Sequence, residues 1–369
     1  MINPADAIRD GLLRHEIGIR RLSNGTVRKV IAALNDSIPD LERQIRQRLG
    51  WIAARGYDSS PHTLKRLETN LRQLKGVLNE AYKVGFSEAK KDLTGLAKYE
   101  GEFTAKMLGS EVAKATGAQV GFGAPSVDLM KAIVETKPFQ GRLLRDWAKD
   151  LPRDTFTAVR KAVRDGLMQN ESIDKIVRRI KGTRALGYSD GVLNQSRRQI
   201  ENVVRTATAH VTNFARDETY RANSEFIEGV QWTATLDSRT CEICAPRDGL
   251  RYDLDHRPIG HLVPWGNGPG RLHINDRCTS TPILKSFKKL GIDLPEIQMP
   301  GRRVRGQGIV PSSTTYADWI KGQPAAVQNN ILGINRAQAM RSGKLKFDSM
   351  FDDRGRWLNL DQLRAEDAA

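Results

Sequence analysis

Cysteine is scarce in this chain of 369 residues: only Cys241, Cys244 and Cys278 occur. An odd, clustered set argues against the disulfide framework of a small secreted scaffold and for thiolates with a shared task. No run approaches the ~18 uninterrupted apolar residues that a membrane span needs, so no membrane partner is expected. The opening Met1-Ile2-Asn3-Pro4-Ala5-Asp6 has neither a basic region nor an apolar one of the kind that begins a secretory signal. The expectation is a soluble protein that stays in the cytoplasm that makes it. Gly109, Gly117, Gly121 and Gly123 are not followed by Gly-Lys-Ser/Thr, which excludes a phosphate loop. Paired carboxylates at glycosidase-like spacing are absent, and so is any internal repeat. Acidic residues are outnumbered, 43 Asp+Glu against 59 Lys+Arg, for a formal charge of +16. An excess of that size favours polyanionic partners such as nucleic acid, an acidic protein surface or anionic lipid. It equally describes a salt-laced helical surface biased towards arginine.

What is present reads as an ordinary globular chain. The hydrophobic share of 39% excludes global disorder, and the length exceeds one ordinary core, which implies two or three domains. Residues 1–108 read as an N-terminal helical hairpin. Leu64, Leu67, Leu71, Leu74, Leu78 and Ala81 form one narrow apolar seam, with Ser60-Pro61 as cap and first residue of its helix. Val27, Ile31, Leu34, Ile38, Leu41 and Ile45 form a second seam, which Pro39 should kink or split. Residues 109–126 read as a glycine-rich connection. Residues 127–228 read as a helical domain. Within it a short amphipathic helix from Ser172 is stopped by Gly182, and a longer one from Ser196 carries Arg197, Arg198, Arg205 and Arg216 on its polar face. Alternation in Val230–Leu236 announces a strand and a small α+β Cys/His module over 229–285. Residues 286–314 read as a basic irregular linker containing Arg302, Arg303 and Arg305, and 315–369 as a C-terminal helical module. The fold class expected is therefore mainly α with a small α+β, zinc-knuckle-like module.

The strongest chemical signal lies in that module. Cys241-Glu242-Ile243-Cys244 on a turn lets two thiolates reach one ion, and His273 with Cys278 supplies a second pair about thirty residues on, the tetrahedral set of structural zinc. A cation would cross-link a turn-rich segment whose apolar content looks too thin to hold itself, coupling binding to folding. His256 and His261 are rival ligands. Three buried thiols without a metal, or a redox pair, are the other readings, although the helical context upstream lacks the βαβ unit of a thioredoxin-like site. The zinc-deaminase pattern is missing, because Thr240 rather than Pro precedes Cys241.

Trp232-Thr233-Ala234-Thr235-Leu236-Asp237-Ser238-Arg239-Thr240-Cys241-Glu242-Ile243-Cys244, then Asp248-Gly249, Pro264, His273, Cys278 and Pro282, resembles the core motif of the head morphogenesis (minor head, MuF-type) proteins of Mu-like tailed phages. The helix from Arg205-Thr206-Ala207 to Asn213 is similar to that family's helix bearing an Arg-Thr pair. So are the later blocks Tyr316-Ala317-Asp318-Trp319-Ile320, Gln323-Pro324, Ile331-Leu332-Gly333, Arg336, Gly343-Lys344-Leu345 and Leu360. One departure is that Arg277 precedes the last cysteine and Thr279 follows it, where the family commonly has Arg following.

The resemblance implies a non-enzymatic virion protein, present in few copies inside the capsid. Its implied partners are the portal, the major capsid or scaffold proteins and the packaged DNA, with which it would be ejected. Arg302, Arg303 and Arg305 are the most linear candidates for contact with portal or phosphate; the alternative for them is an exposed loop. The competing function is a zinc-knuckle DNA-acting enzyme, a nuclease using His256, His261 and a nearby Asp, or a DNA-binding protein built on the same module.

Overall fold

Local sequence rules account for where the helices begin and end. The computed structural model describes residues 4–55, 60–117, 119–286, 288–290, 302–304, 308–310, 314–358 and 362. The first helices are α1 (Pro4–Asp36), α2 (Ile38–Arg55), α3 (Pro61–Arg72) and α4 (Leu74–Thr116). Pro39 lies in the first turn of α2, where its missing N–H costs no bond, and the split falls just before it. The Ser60 hydroxyl accepts from the Thr63 amide and caps α3. The seam read as one helix is divided at Gln73 between α3 and α4, with Leu67, Leu71, Leu74 and Leu78 all buried. Helix α4 continues through Gly109 to Thr116, so the first half of the connection read over 109–126 is helical.

Next come α5 (Val127–Thr136), α6 (Leu144–Met168), α7 (Ile173–Lys181) and α8 (Val192–Ala222). Ser172 caps α7 at the amide of Lys175, and Gly182 ends it with φ +89°, a value that side-chain-bearing residues avoid. Three residues of this short helix, Ile176, Val177 and Ile180, are buried at 0–3% exposure. Each contributes roughly 1.5–3 kcal/mol of burial, more than propensity alone would give nine residues.

The strands are β1 (Ile227–Thr233), β2 (Arg251–Asp253), β3 (Pro258–Ile259), β4 (Thr279–Leu284), β5 (Arg302–Val304) and β6 (Gly308–Val310). The first four form an antiparallel sheet ordered β3-β2-β1-β4. Strands β5 and β6 pair as a two-stranded ribbon, so part of the segment read as irregular is regular. Three short helices follow, α9 (Tyr316–Lys321), α10 (Ala325–Leu332) and α11 (Ile334–Arg341). The described residues are thus mainly helical, with a small four-stranded antiparallel sheet and a two-stranded ribbon.

Two compact units share the chain, with boundaries inside helices. The first comprises Met1–Gly18, Ala97–Met130 and Ala209–Ala369. Its sheet is not thinly supported: Trp232, Tyr252 and Trp265 pack edge to face in one cluster with Ile8, Leu12, Leu108, Tyr220, Ile227 and Val230. Much of this apolar support lies in the module itself, in Trp232, Tyr252 and Trp265, and helices distant in sequence add Ile8, Leu12 and Leu108. A second cluster joins Leu236 and Ala245 to α9–α11 through Tyr316, Trp319, Ile320 and Phe347.

The second unit, Ile19–Leu96 with Lys131–Thr208, is helical throughout its regular elements. In it α1 runs antiparallel to α4, with Thr26 and Lys29 bonded to Asp92 and a Cβ on Gly85 placed about 3 Å from Val30.

Candidate metal centre

Strand β1 and strand β4 are neighbours, and their register sets Thr233 opposite Thr279. The chain leaving β1 and the chain entering β4 therefore meet at one edge of the sheet. On the first, the Cys241 carbonyl accepts from the amides of Cys244 and Ala245, closing the turn that places both thiols on one side. On the second, Asp276 braces the loop: its carboxylate accepts from the amides of Leu272 (3.1 Å) and Cys278 (3.0 Å). Gly270, at φ +72°, lets that loop lie against α8, where a Cβ would run into the Asn213 amide.

The result is a tight cluster. His273 Nε2 lies 3.1 Å from Cys241 Sγ and 3.4 Å from Cys244 Sγ. A tetrahedral ion at ordinary Zn–S and Zn–N bond lengths would hold S and N about 3.5 Å apart, a few tenths of an ångström from these values. Two triads have ligand atoms mutually within 4.8 Å, Cys241–Cys244–His273 and Cys244–Asp276–Cys278, so Cys244 is the shared corner. His273 Nδ1 donates to the Ile274 carbonyl at 2.9 Å, which leaves Nε2 facing the sulfurs as the ring atom a metal would take on displacing its proton. The donor set of three soft sulfurs and one imidazole suits zinc, and each of the two triads is close enough to hold a metal ion.

The titration behaviour fits crowding of like groups. A hydrogen bond from the Cys244 thiol pulls Cys241 down to about 4 against the effect of burial, and His273 adds to the pull. Cys241 in turn draws His273 up to about 9. Cys244 is pushed far upward by Cys241, by Cys278 and by burial. The Cys244 hydrogen bond favours the Cys278 thiolate, yet burial and Asp276 leave that group raised. Three sulfurs this close cannot all ionise without a cation among them.

Asp276 is the residue that sequence reasoning missed. It is 2% exposed, and its Oδ1 accepts from Cys244 Sγ at 3.8 Å. An Asn-Asp turn two residues before a candidate ligand is the signal that could have found it. With both oxygens bonded to backbone amides, it acts on the site by holding the loop. Asp248, in the quoted Asp-Gly pair, has a similar task. Its carboxylate accepts from the amides of Ala234 and Tyr316, both at 2.8 Å, fastening α9 to the end of β1. Arg277 forks onto Asp237 at 2.5 and 2.7 Å across the same turn.

The rival histidines sit elsewhere. His256 stacks on Trp265 at 4.5 Å between centroids, and burial pushes it below the usual imidazole range. His261 lies edge-on to Tyr252 with Nε2 2.9 Å from the Arg251 carbonyl. Neither belongs to a metal-holding group among the described residues. Arg302 and Arg303 stand on β5 in register with Val310 and Ile309, and Arg305 lies outside the described residues.

Arg216, read as part of a polar helix face, is fully buried. Its Nε donates to Glu100 at 2.5 Å and its Nη1 to Glu16 at 2.7 Å and to Thr279 at 2.5 Å. Glu100 also binds His15 Nε2 at 2.7 Å. This network ties α1, α4 and α8 to the residue that follows Cys278.

Residues 157–281 match the family model described as Phage Mu protein F like protein. The match spans α8, the four-stranded sheet up to Thr281 and every residue of the sulfur cluster, and it supports the resemblance to Mu-like phage head morphogenesis proteins on that segment. The blocks from Tyr316 to Leu360 lie beyond it. No curated protein and no solved structure matches the chain significantly.

Proposed function

We propose that this Mu F-like chain is a minor head protein acting in capsid assembly at the portal vertex, inside the head, without enzymatic activity. Its partners would be the portal, the major capsid or scaffold proteins and the packaged DNA. Cys241, Cys244, His273 and Cys278 would hold a structural zinc. Four protein ligands would close the coordination sphere, leave no open position for water and so favour a structural over a catalytic ion. When bound, the ion would link the turn after β1 to the loop entering β4. Asp276 orients that loop, and the Ile274 carbonyl orients His273.

The observation that carries this reading is the convergence of His273 Nε2 on two sulfurs at 3.1 and 3.4 Å within a segment of Mu F-like sequence. The nuclease alternative, read from His256 and His261 beside Asp253 and Asp255, finds no metal-holding group at those residues among the described ones. Asp217, the carboxylate 3.7 Å from His256, is held at 2.5 Å by the buried Arg271 and is poorly placed to serve as a base. Arg302, Arg303 and Arg305 remain the linear candidates for portal or DNA contact.

The test is elemental mass spectrometry of the purified protein together with head counts in infected cells. Wild type should carry one zinc per chain and support filled heads. Cys278→Ser should lose both. Normal heads with the variant would remove the structural role, and metal-sensitive plasmid cleavage abolished by His256→Ala or His261→Ala would replace it with an enzyme.

A further inference from the structure

The charge of this protein is not shared between its units. Residues 19–96 and 131–208 contain 32 Lys+Arg against 17 Asp+Glu, whereas the rest of the chain contains 27 against 26. The helical unit therefore carries +15 of the formal +16, and the unit that holds both the sulfur cluster and Arg302, Arg303 and Arg305 is nearly neutral.

Within the helical unit the charge lines a groove of about 980 Å³ between α4, the end of α5 and α6. Lys75, Lys83 and Lys90 stand along one face of α4, and Arg145, Lys149 and Arg153 repeat every fourth residue along α6. All six are exposed. Lys90 is paired with Glu135 at 2.7 Å and Arg153 with Asp150 at 3.1 Å. Lys75, Arg145 and Lys149 have no ion-pair partner among the described residues. Of the apolar residues in the lining, Phe86, Val134, Leu144 and Pro152 are each buried, so none of these large side chains stands out for an amphipathic acidic peptide or a lipid surface to grip, and the exposed cations are the groove's most prominent groups.

The geometry points to a duplex-DNA backbone site in this groove, with Lys75, Arg145 and Lys149 as its uncommitted phosphate contacts. At 1.5 Å per residue the α4 row is about 22 Å long and the α6 row about 12 Å, with steps of about 6 Å between cations on α6. One DNA strand rises 3.4 Å per phosphate, so the longer row spans about six phosphates. Contact of this kind is blind to base sequence, as packaged DNA requires. The inference deepens the reading of DNA contact proposed above and moves it from the Arg302 ribbon to the helical unit.

Binding of the full-length protein to a mixed-sequence 30-base-pair duplex, measured from low to moderate salt, tests it. Each phosphate contact adds about 0.9 to the slope of log affinity against log salt. Combined Lys75→Gln, Arg145→Gln and Lys149→Gln should reduce that slope by about 3 with unchanged circular dichroism, because all three side chains are exposed. Arg302→Gln, Arg303→Gln and Arg305→Gln together should leave most of the slope in place. An unchanged slope in the groove variant, or a loss confined to the Arg302 variant, overturns the assignment. So does a groove variant that loses binding to poly-glutamate while keeping its affinity for DNA. Head formation, scored separately with Cys278→Ser, reports on the assembly role whichever way the DNA experiment falls.

Discussion

Replacing Arg216 by Met should cost about 3–5 kcal/mol at pH 7, and the reason lies in what the guanidinium leaves behind. Arg216 and Glu100 both have 0% of their side chains exposed, with Nε 2.5 Å from Oε1. Burial alone would raise Glu100, but the charge of Arg216, then the His15 and Arg216 hydrogen bonds, hold it below the usual carboxylate range. Without Arg216 the buried carboxylate keeps His15 at 2.7 Å and a long contact from Thr104 at 3.5 Å. Glu16 suffers less, since it is 17% exposed. Removing both charges, as Arg216→Met with Glu100→Met, should recover most of the loss, because a well-packed apolar pair often equals a buried ion pair. The pH dependence has a definite sign. In wild type the lowered Glu100 contributes stability that is fully present above its unfolded value near 4.3 and is lost as pH falls through its folded value. In Arg216→Met burial wins, the carboxyl is raised, and the penalty present at pH 7 is relieved on acidification. The deficit against wild type should therefore be smaller at pH 5 than at pH 7. Urea unfolding followed by tryptophan fluorescence, which reports on the buried Trp232, measures it. A single variant costing under about 1 kcal/mol, or a double variant as unstable as the single, would refute the argument.

Two further substitutions probe how the module is fastened. Asp248→Ala removes the acceptor for the Ala234 and Tyr316 amides and should cost about 2–4 kcal/mol; faster amide exchange at Tyr316 than at Val230 is the expected result, and equal protection would contradict it. Gly270→Ala imposes φ +72° on a side-chain-bearing residue and drives its Cβ into Asn213. It should lower the urea midpoint by the equivalent of at least about 1–3 kcal/mol, and a neutral result would mean that the loop can move off α8.

How much of this could be read in advance follows from the range of each signal. The turn holding Cys241 and Cys244, the Ser60 and Ser172 caps, the stop at Gly182 and the break beside Pro39 depend on a few adjacent residues, and all are legible locally. The approach of His273 to the sulfurs follows from register, because the ends of two paired strands must meet. That Arg216 is buried is not legible locally, for the opposite reason. The periodicity of α8 assigns it to a polar face, but that face is covered by Glu16 and Glu100, 200 and 116 positions away in the chain. Nothing local distinguishes a buried arginine from Arg197 or Arg205, which bond to Asn35 and Asn24 at the surface. The groove was illegible on the same grounds: its rows come from α4 and α6, and neither alone is unusually basic.

The same distinction decides what a bound ion would do to folding. A thin, turn-rich segment would owe its structure to the metal, as small zinc domains do. Here the sheet rests on Trp232, Tyr252, Trp265 and Tyr220, and β4 is held to α8 through Thr279 and Ser280, which bond to Arg216 and Asp217. Cys244 and Cys278 belong to that cluster, but the bonds of Thr279 and Ser280 to Arg216 and Asp217 involve no sulfur. An ion would then close only the stretch between the end of β1 and the start of β4, whose two ends the strand register already brings together. Chelation should accordingly free the amides of residues 241–247 and 272–278 to exchange while those of Val230, Trp232 and Thr281 stay protected. Uniform loss of protection across the sheet would show instead that the ion supports the whole module and that the aromatic cluster cannot hold it alone.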